Sequence, residues 1–227
     1  MTTSKTALII GASRGLGLGL AERLSEKGWK VVATVRDPAK SGALAALPGI
    51  QVETLEMTST TQLDALQKRL EGQTFDLLFV NAGVKGPDNQ DAEVAQLAEI
   101  GELFLTNSLA PIRVAQRFAG QLNGAGVIAF MSSILGSISI PDAPDLALYK
   151  ASKAALNSMI NSFAVRLGET RLSVLAMHPG WVKTDMGGDG ADIDVLTSTR
   201  GMIDQVEAHS GKPGVHYINY KGETLTW

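Results

Sequence analysis

The stretch IIGASRGLGLGL, residues 9–20, decides the fold, because it joins an apolar run to a glycine-rich turn and a helical pattern. The run TALII, residues 6–10, is short and rich in branched side chains, which favours a buried strand. Gly11, Gly15 and Gly17 follow it with the spacing G-x-x-x-G-x-G. Glycines permit a tight turn, and the helix that begins there directs its free N–H groups and positive dipole end at an anion. The stretch predicts a strand–turn–helix unit that binds the pyrophosphate of a dinucleotide.

Two alternatives for this stretch are open. Its spacing differs from G-x-G-x-x-G, the commonest dinucleotide fingerprint. Residues 11–15, GASRG, also match G-x-S-x-G, the nucleophile elbow of hydrolases, in the right strand–turn–helix context. An elbow needs an oxyanion-hole loop from an earlier strand, however, and only ten residues precede Gly11. The other alternative is a glycine turn that binds no ligand.

Apolar runs alternate with helical patterns along the rest of the chain. Most of the runs are continuously apolar, which is typical of parallel strands that are covered on both faces. This alternation predicts a Rossmann-like doubly wound parallel sheet in a single three-layer α/β/α domain over residues 1–227. The predicted strands are 6–10, 30–35, 50–55, 75–80, 126–131 and 172–177, with 214–219 as an edge strand, and the predicted helices are 15–27, 60–71, 91–119 and 147–168.

The composition excludes several classes of protein. Apolar residues make up 44% of the 227 residues, enough for a substantial core, and the net charge of −3 gives no support for a nucleic-acid surface. The chain has no cysteine, which excludes disulfides and thiolate chemistry, and its three histidines lack metal-ligand spacing, so we expect no metal site. No apolar run approaches the ~20 residues of a membrane span, and the start lacks a signal pattern. We therefore expect a cytoplasmic protein that binds no membrane.

Two side chains after the second predicted strand bear on the choice between NAD and NADP. An acid here binds a ribose hydroxyl of NAD, whereas an arginine accommodates the extra phosphate of NADP, and the chain offers both Arg36 and Asp37. Asp37 precedes Pro38, and Asp followed by Pro is typical of a helix start. Arg14 in the glycine loop can add a second positive charge. These residues predict a preference for NADP(H) over NAD(H), although each arginine has the alternative of a solvated surface charge.

The run LALYKASKAAL, residues 146–156, presents Tyr149 and Lys153 four positions apart. An α-helix turns about 100° and rises ~1.5 Å per residue, so both side chains lie on one side of the helix. The two head groups can point into one pocket. The alternative for Tyr149 is a half-buried helix residue whose hydroxyl contacts water.

Together these motifs resemble the short-chain dehydrogenase/reductase family over nearly the whole chain. In the order of the family, the chain has Gly11-x-x-x-Gly15-x-Gly17, Asn81-Ala82-Gly83, Asn107, Ser133, Tyr149-x-x-x-Lys153 and Pro179-Gly180. Each motif alone is weak evidence for the family, but six motifs in the order of the family, each at its expected strand or helix, are strong evidence. Residues 178–188, HPGWVKTDMGG, are similar to the small carbonyl reductases grouped with C-factor and sniffer.

The resemblance implies reduction of an aldehyde or ketone with NADPH, with Tyr149 as the general acid and base. Lys153 would lower the pKa of Tyr149, ordinarily ~10, and bind the nicotinamide ribose. Ser133 would donate a hydrogen bond to the substrate oxygen, and Asn107 would hold a water that links Lys153 to solvent. The implied cofactor-binding residues are Gly11, Ser13, Arg14, Gly15, Leu16, Gly17, Arg36, Glu56, Met57, Asn81, Ala82, Gly83, Tyr149, Lys153, Pro179, Gly180, Val182 and Thr184.

Some of these assignments have alternatives. Ser132 competes with Ser133, although Gly136 fits the family pattern better with Ser133, and Asn107 can instead be a buried amide that interrupts a helix. Where the family usually has an aspartate near adenine, this chain has Glu56, so either this longer acid or the backbone of Met57 would make the contact.

The substrate and the assembly follow only from the resemblance. The region after Thr184 is short, which suggests an open pocket lined by Ile140, Trp181 and Met186. Relatives pair through the two long helices, so we expect a homodimer or homotetramer. A nucleotide-binding regulatory or signalling protein with little turnover is the alternative function, and the intact set of four implied catalytic residues argues against it.

Overall fold

A computed structural model describes residues 4–227, so the first three residues of the predicted domain lie outside it. Seven strands form one sheet: β1 (Thr6–Ile10), β2 (Lys30–Val35), β3 (Ile50–Thr54), β4 (Phe75–Val80), β5 (Leu122–Met131), β6 (Ser173–His178) and β7 (Gly214–Asn219). All neighbouring strands are parallel, in the order β3-β2-β1-β4-β5-β6-β7. The helices are α1 (Gly15–Glu26), α2 (Gly42–Ala45), α3 (Thr60–Arg69), α4 (Leu97–Phe104), α5 (Ala110–Phe118), α6 (Ala147–Leu167) and α7 (Val195–His209).

The continuous apolar strands are buried on both faces of the sheet. In β1, Leu8 and Ile10 belong to a core beneath α3, α5 and α6, whereas Ala7 and Ile9 belong to a second core beneath α1 and α7. Because successive strand side chains point to opposite faces, a strand between two helical layers is apolar at every position. The predicted three-layer, doubly wound parallel sheet is confirmed.

Several element boundaries differ from the predicted ones. The strand β5 begins at Leu122, earlier than the predicted residue 126, and the predicted edge strand is confirmed as β7. The helix α7 was not predicted, although Asp194 caps it by accepting a hydrogen bond from the Thr197 N–H at 2.7 Å. Its apolar positions Met202, Ile203 and Val206 are buried, but the polar run TSTR at 197–200 interrupts the helical pattern.

The single helix predicted over 91–119 is wrong. Asp91 instead forms a turn, in which its side chain accepts a hydrogen bond from the Glu93 N–H at 2.9 Å, so that α4 begins only at Leu97. A π-helical segment, Leu105–Leu109, then separates α4 from α5. Pro111 explains the irregularity, because it lacks the N–H that would pair with the Asn107 carbonyl in an α-helix.

Candidate active site

A cleft of about 1400 Å³ opens at the carboxyl ends of the strands. The chain runs from β1 towards one edge of the sheet and then from β4 towards the other, and ligands of such folds bind at this switch point. Most of the predicted site residues line the cleft: Gly11, Ser13, Arg14, Gly15, Leu16, Arg36, Glu56, Met57, Asn81, Ala82, Gly83, Ser133, Tyr149, Lys153, Pro179, Gly180, Trp181, Val182, Thr184 and Met186. Gly17, Asn107 and Ile140 are not part of its walls.

The glycine loop packs closely against the residues that follow β4. A Cβ at Gly11, whose φ is +85°, would lie 2.7 Å from the Ala82 Cβ. The Asn81 side-chain amide donates to the Gly11 carbonyl at 2.6 Å. A Cβ at Gly17 would lie only 2.0 Å from that same carbonyl, so Gly17 allows α1 to pack under the loop and does not itself line the cleft.

Thr34 holds the other side of the glycine loop, and the sequence motifs did not reveal it. Its hydroxyl accepts a hydrogen bond from the Gly11 N–H at 2.9 Å, and its carbonyl accepts one from the Ala12 N–H at 2.8 Å. The side chain is buried within the otherwise apolar strand KVVATV. A buried hydroxyl needs a hydrogen-bond partner, so a threonine among the buried positions of this strand is the sequence signal for such a contact.

The start of α1 fits a phosphate. Its N-cap residue, Arg14, makes no side-chain capping hydrogen bond, so the first N–H groups of the helix face the cleft without a side-chain partner. The rival hydrolase interpretation finds no support, since Ser13 makes no side-chain hydrogen bond with a histidine or carboxylate among residues 4–227. The Arg14 guanidinium forms an ion pair with Asp185 across the rim of the cleft.

Arg36 and Asp37 are oriented differently. The Asp37 carboxylate accepts a hydrogen bond from the Ala39 N–H at 3.0 Å and caps the short turn Pro38–Lys40, as predicted from its position before Pro38. Arg36 is exposed and lines the cleft, and Asp37 does not. The positive side chain therefore lies at the place that separates NADP from NAD in this fold.

Glu56 and Met57 lie beside the predicted adenine position. The Glu56 carboxylate accepts hydrogen bonds from the N–H and the hydroxyl of Thr58, at 3.1 and 2.9 Å. Met57 is buried and borders the cleft. Because the Glu56 carboxylate is already engaged with Thr58, the backbone of Met57 is the better placed of the two predicted contacts.

Tyr149 and Lys153 are brought together as the helical spacing predicted. The Lys153 ammonium is buried, donates a hydrogen bond to the Met131 carbonyl at 2.8 Å, and lies 5.8 Å from the centre of the Tyr149 ring. Burial lowers the pKa of Lys153 to about 8. A Cβ at Gly83 would lie 3.6 Å from this ammonium, an ordinary contact, and 3.2 Å from the Asn107 side-chain oxygen, which is tighter.

The predicted lowering of the Tyr149 pKa by Lys153 is wrong for this arrangement. Burial raises the pKa of Tyr149 to about 12, interaction with the Ser133 hydroxyl opposes that rise, and Tyr217 adds to it. The reason is that Lys153 directs its ammonium at the Met131 carbonyl, so desolvation of the phenol outweighs the charge. Tyr149 keeps its proton at neutral pH, as an unperturbed phenol also does, and its raised pKa makes it a weaker acid in this arrangement.

The structure distinguishes Ser133 from Ser132. The Ser132 hydroxyl donates a hydrogen bond to the Asn157 side-chain oxygen at 2.6 Å, so its proton is already engaged. The Ser133 hydroxyl accepts a hydrogen bond from the Leu135 N–H at 3.2 Å and interacts with Tyr149. Ser133 is therefore the serine whose hydroxyl lies beside Tyr149.

Asn107 is fully buried and its side chain is occupied by protein partners. The amide oxygen accepts a hydrogen bond from the Val84 N–H at 2.9 Å, and the amide nitrogen donates to the Val84 carbonyl and the Ser152 hydroxyl, at 2.8 and 3.1 Å. It anchors the chain that leaves β4 to α6. The side chain of Asn107 is thus a buried amide, which was the alternative interpretation of this residue. The water that Asn107 was predicted to hold between Lys153 and solvent stays a prediction.

Gln90 is a buried site residue that sequence reasoning missed. Its side-chain oxygen accepts a hydrogen bond from the Tyr149 N–H at 2.8 Å, and its amide nitrogen donates to the Lys85 and Pro87 carbonyls, at 2.8 and 3.3 Å. It joins the loop after β4 to the first turn of α6. No local pattern marks this glutamine, because its partner is 59 positions away.

The side of the cleft next to Tyr149 is open and partly apolar. Trp181 and Met186 are half exposed there, and the Trp181 indole donates a hydrogen bond to the Gly187 carbonyl at 2.9 Å. The prediction that Ile140 lines the pocket is wrong. The loop that carries Ile140 turns away, and Asp142, Ala143 and Leu146 form that wall instead.

Residues 4–227 were compared with the requirements of a metal site and of a membrane-spanning helix. Within this range, no three histidine, aspartate or glutamate side chains lie close enough together to hold a metal ion. None of the helices that the structure describes combines the length and the apolar character needed to cross a membrane.

Comparison with known proteins identifies relatives of the same shape. Residues 5–192 match the family described as short chain dehydrogenase. The C-signal protein of Myxococcus xanthus is 30% identical over 154 residues, covering 67% of this chain and 92% of that protein. A carbonyl reductase of Pseudomonas aeruginosa PAO1, solved in complex with NADP, is 37% identical with a TM-score of 0.93, covering 99% of this chain and 100% of that one. The carbonyl reductase Sniffer of D. melanogaster is 30% identical with a TM-score of 0.85, at the same coverage.

Proposed function

Because the chain belongs to the short-chain dehydrogenase family and is an NAD(P)-dependent oxidoreductase, we propose that it reduces an aldehyde or ketone with NADPH. The observation that carries this proposal is the grouping of the Tyr149 and Ser133 hydroxyls and the Lys153 ammonium in one cleft with the glycine loop. The Pseudomonas aeruginosa protein, which is similar over nearly the whole chain, is a carbonyl reductase that binds NADP.

Ser133, Tyr149 and Lys153 each have a separate role in the proposed carbonyl reduction. NADPH, when bound in the cleft, would be the source of the hydride that the carbonyl carbon receives. Ser133 donates a hydrogen bond to the carbonyl oxygen, where negative charge develops. Tyr149 transfers its proton to that oxygen, so that the product is an alcohol and the phenol is left as a phenolate. Lys153 would bind the nicotinamide ribose, and its charge, 5.8 Å from the centre of the Tyr149 ring, would offset part of the desolvation that disfavours the phenolate.

The residues of the cleft fit a dinucleotide phosphate. The N–H groups at the start of α1, which have no side-chain cap, would hold the pyrophosphate, and the glycine at position 11 would let the loop backbone approach it. Arg36 would hold the phosphate on the adenosine ribose, since the Asp37 carboxylate is occupied by its cap. A second positive charge from Arg14 requires that Arg14 leave Asp185, an exposed ion pair that is worth little in water.

We expect Arg36→Ala to reduce the preference for NADPH over NADH by about tenfold. A hydrogen bond to a charged group contributes ~1.5–3 kcal/mol, or roughly ten- to over a hundredfold in affinity, and solvent exposure of Arg36 favours the lower end. The measurement compares kcat/KM for both cofactors in the two proteins. Lys40→Ala is the matched control, because Lys40 is an exposed cation on the same segment that does not line the cleft. A wild type that prefers NADH, or an unchanged preference in Arg36→Ala, would contradict this assignment.

The pKa of Lys153 predicts how cofactor capture depends on pH. The lysine binds the ribose best as an ammonium, and its pKa is lowered to about 8, so its charge is lost as the pH rises through that value. We expect kcat/KM for NADPH, which reports the pKa values of the free enzyme, to fall above about pH 8. In Lys153→Arg this alkaline limb should move upwards, since arginine keeps its charge. An alkaline limb at the same pH in both proteins would show that another group titrates.

A nucleotide-binding signalling protein with little turnover is the second candidate, and the similarity to the C-signal protein is the observation that favours it. The placement of Ser133 beside Tyr149 argues for catalysis, because a protein that only binds nucleotide needs no donor at the reacting oxygen. Consumption of NADPH with a panel of reactive aldehydes and ketones separates the two candidates. Turnover supports the reductase, and tight NADPH binding without turnover supports the signalling protein.

A homodimer or homotetramer stays a prediction. On α6, Phe163 is buried against the sheet, edge to face with Phe130 at 6.1 Å between ring centres. In the segment 91–119 the exposed apolar side chains are Val94, Leu97 and Leu109, and in α6 Val165 is 82% exposed. These side chains are available for contact with a second copy.

A further inference from the structure

Tyr217, on the edge strand β7, contacts the main chain of the proposed catalytic serine. Its phenol hydroxyl donates a hydrogen bond to the Ser133 carbonyl, although the two residues are 84 positions apart. The strand register places Tyr217 opposite Ala176 of β6, and the side chain is 1% exposed. A buried tyrosine hydroxyl needs a polar partner, and here the partner belongs to the residue whose own hydroxyl interacts with Tyr149.

The ring of Tyr217 is itself held in place. Trp227 packs on it with 4.9 Å between the ring centres and an angle of 35° between the ring planes. The Leu225 N–H donates to the Tyr217 carbonyl at 2.8 Å, and the Trp227 carbonyl accepts a hydrogen bond from the Ser139 hydroxyl at 3.1 Å. These contacts fix both the ring and the last residues of the chain, so the Tyr217 hydroxyl has little freedom to leave Ser133.

A second support reaches the same segment from α6. The Asn157 side chain accepts the hydrogen bond of the Ser132 hydroxyl at 2.6 Å and donates to the Gly136 carbonyl at 3.3 Å. Asn157 lies one helical turn beyond Lys153. The segment from Ser132 to Gly136 is thus held by the helix that carries Tyr149 and, through Tyr217, by the edge of the sheet.

We propose that Tyr217 is a positioning residue for carbonyl reduction, whose hydroxyl fixes the main chain of Ser133 so that the Ser133 hydroxyl stays directed at the substrate oxygen beside Tyr149. This inference rests on the proposed function. Ser133 has an extended backbone, with φ −153° and ψ 147°, at the start of a short turn over Ile134–Gly136. Rotation of its peptide plane would move the hydroxyl, and small misplacements of reacting groups lower rates strongly.

The hydroxyl of Tyr217 also affects the proton donor. Tyr217 contributes to the raised pKa of Tyr149, after the larger effect of burial.

A double-mutant cycle tests the inference with the full chain and NADPH. We expect Tyr217→Phe, which keeps the ring against Trp227, to lower kcat about tenfold while the KM for NADPH is unchanged. In a Ser133→Ala background, the same substitution should change kcat by less than about twofold, because the group that Tyr217 positions is already gone. Ser173→Ala is the matched control: it removes another buried hydroxyl, which donates to the His209 and Lys212 carbonyls. This control should lower thermal stability and leave kcat unchanged.

The outcomes separate the inference from the function on which it rests. If Ser133→Ala lowers kcat and Tyr217→Phe lowers it by the same factor in both backgrounds, Tyr217 does not act through Ser133 and the inference is overturned. A Tyr217→Phe protein with wild-type kcat would overturn it as well. A Ser133→Ala protein with wild-type kcat would overturn the proposed role of Ser133 itself, and the inference with it.

Discussion

Tyr149→Phe is expected to lower kcat for carbonyl reduction by about 100-fold or more, while the fold and NADPH binding persist. The substitution removes only the hydroxyl, which is the proposed proton donor, and keeps the ring that faces the Lys153 ammonium at 5.8 Å. Burial raises the pKa of that hydroxyl to about 12, so in the wild type it carries its proton throughout the neutral range. The measurements are kcat with a reactive carbonyl and the Kd of NADPH for both proteins.

Tyr220→Phe provides the comparison for this prediction. Tyr220 is a second tyrosine bordering the cleft, and its hydroxyl makes no hydrogen bond with the residues that the structure describes. We expect this variant to lose far less activity than Tyr149→Phe. A Tyr149→Phe protein that keeps more than about a tenth of the wild-type kcat would show that Tyr149 is not the acid.

Lys153→Met is expected to abolish most of the activity and yet stabilise the fold. The activity should fall by about 100-fold or more, because the charge that stabilises the phenolate and the ribose donors are lost together. The stability effect follows from the pKa of Lys153, which burial lowers from 10.5 to about 8. The unfolded chain therefore binds this proton more tightly than the folded one, so the charged lysine destabilises the fold by about 3 kcal/mol at neutral pH.

The stability effect should depend on pH, because it comes from the charge of Lys153. The destabilisation is complete below about pH 8 and disappears as the pH rises to 10.5. We expect Lys153→Met to raise the Tm by about 5 °C at pH 7, less than the full effect because the Met131 carbonyl loses its donor, and the difference should shrink above pH 8. Lys150→Met, on the same helix with its ammonium at the Asp142 carbonyl, is the matched control without a stability gain. An unchanged or lower Tm in Lys153→Met would contradict the buried charge.

The parts of this molecule that the sequence predicts are the local ones. A strand buried on both faces is mostly apolar, so β1, β2 and β4 are visible as apolar runs. The glycine loop is visible because a Cβ at Gly11 or Gly17 would collide with backbone or a neighbouring side chain, which restricts those positions. One helical turn suffices to join Tyr149 to Lys153.

The parts that the sequence does not predict depend on partners that are distant in the chain. Gln90 meets the Tyr149 N–H, Tyr217 meets the Ser133 carbonyl, and neither residue lies in a recognisable pattern. The pKa of Tyr149 belongs to the same class, because it depends on burial and on where the Lys153 ammonium is directed. The π-helical segment before Pro111 is an intermediate case: the proline marks an irregularity, but the helical pattern around it hides its extent.

The central claim is that this cleft transfers hydride from NADPH to a carbonyl and that Tyr149 supplies the proton. The most direct test incubates the wild type and Tyr149→Phe with NADPH and a panel of aldehydes and ketones, and measures both the NADPH consumed and the alcohol formed. We predict one alcohol for each NADPH consumed in the wild type, at a rate about 100-fold or more above that of Tyr149→Phe. Binding of NADPH without alcohol formation from any carbonyl, or equal rates in the two proteins, would contradict the claim.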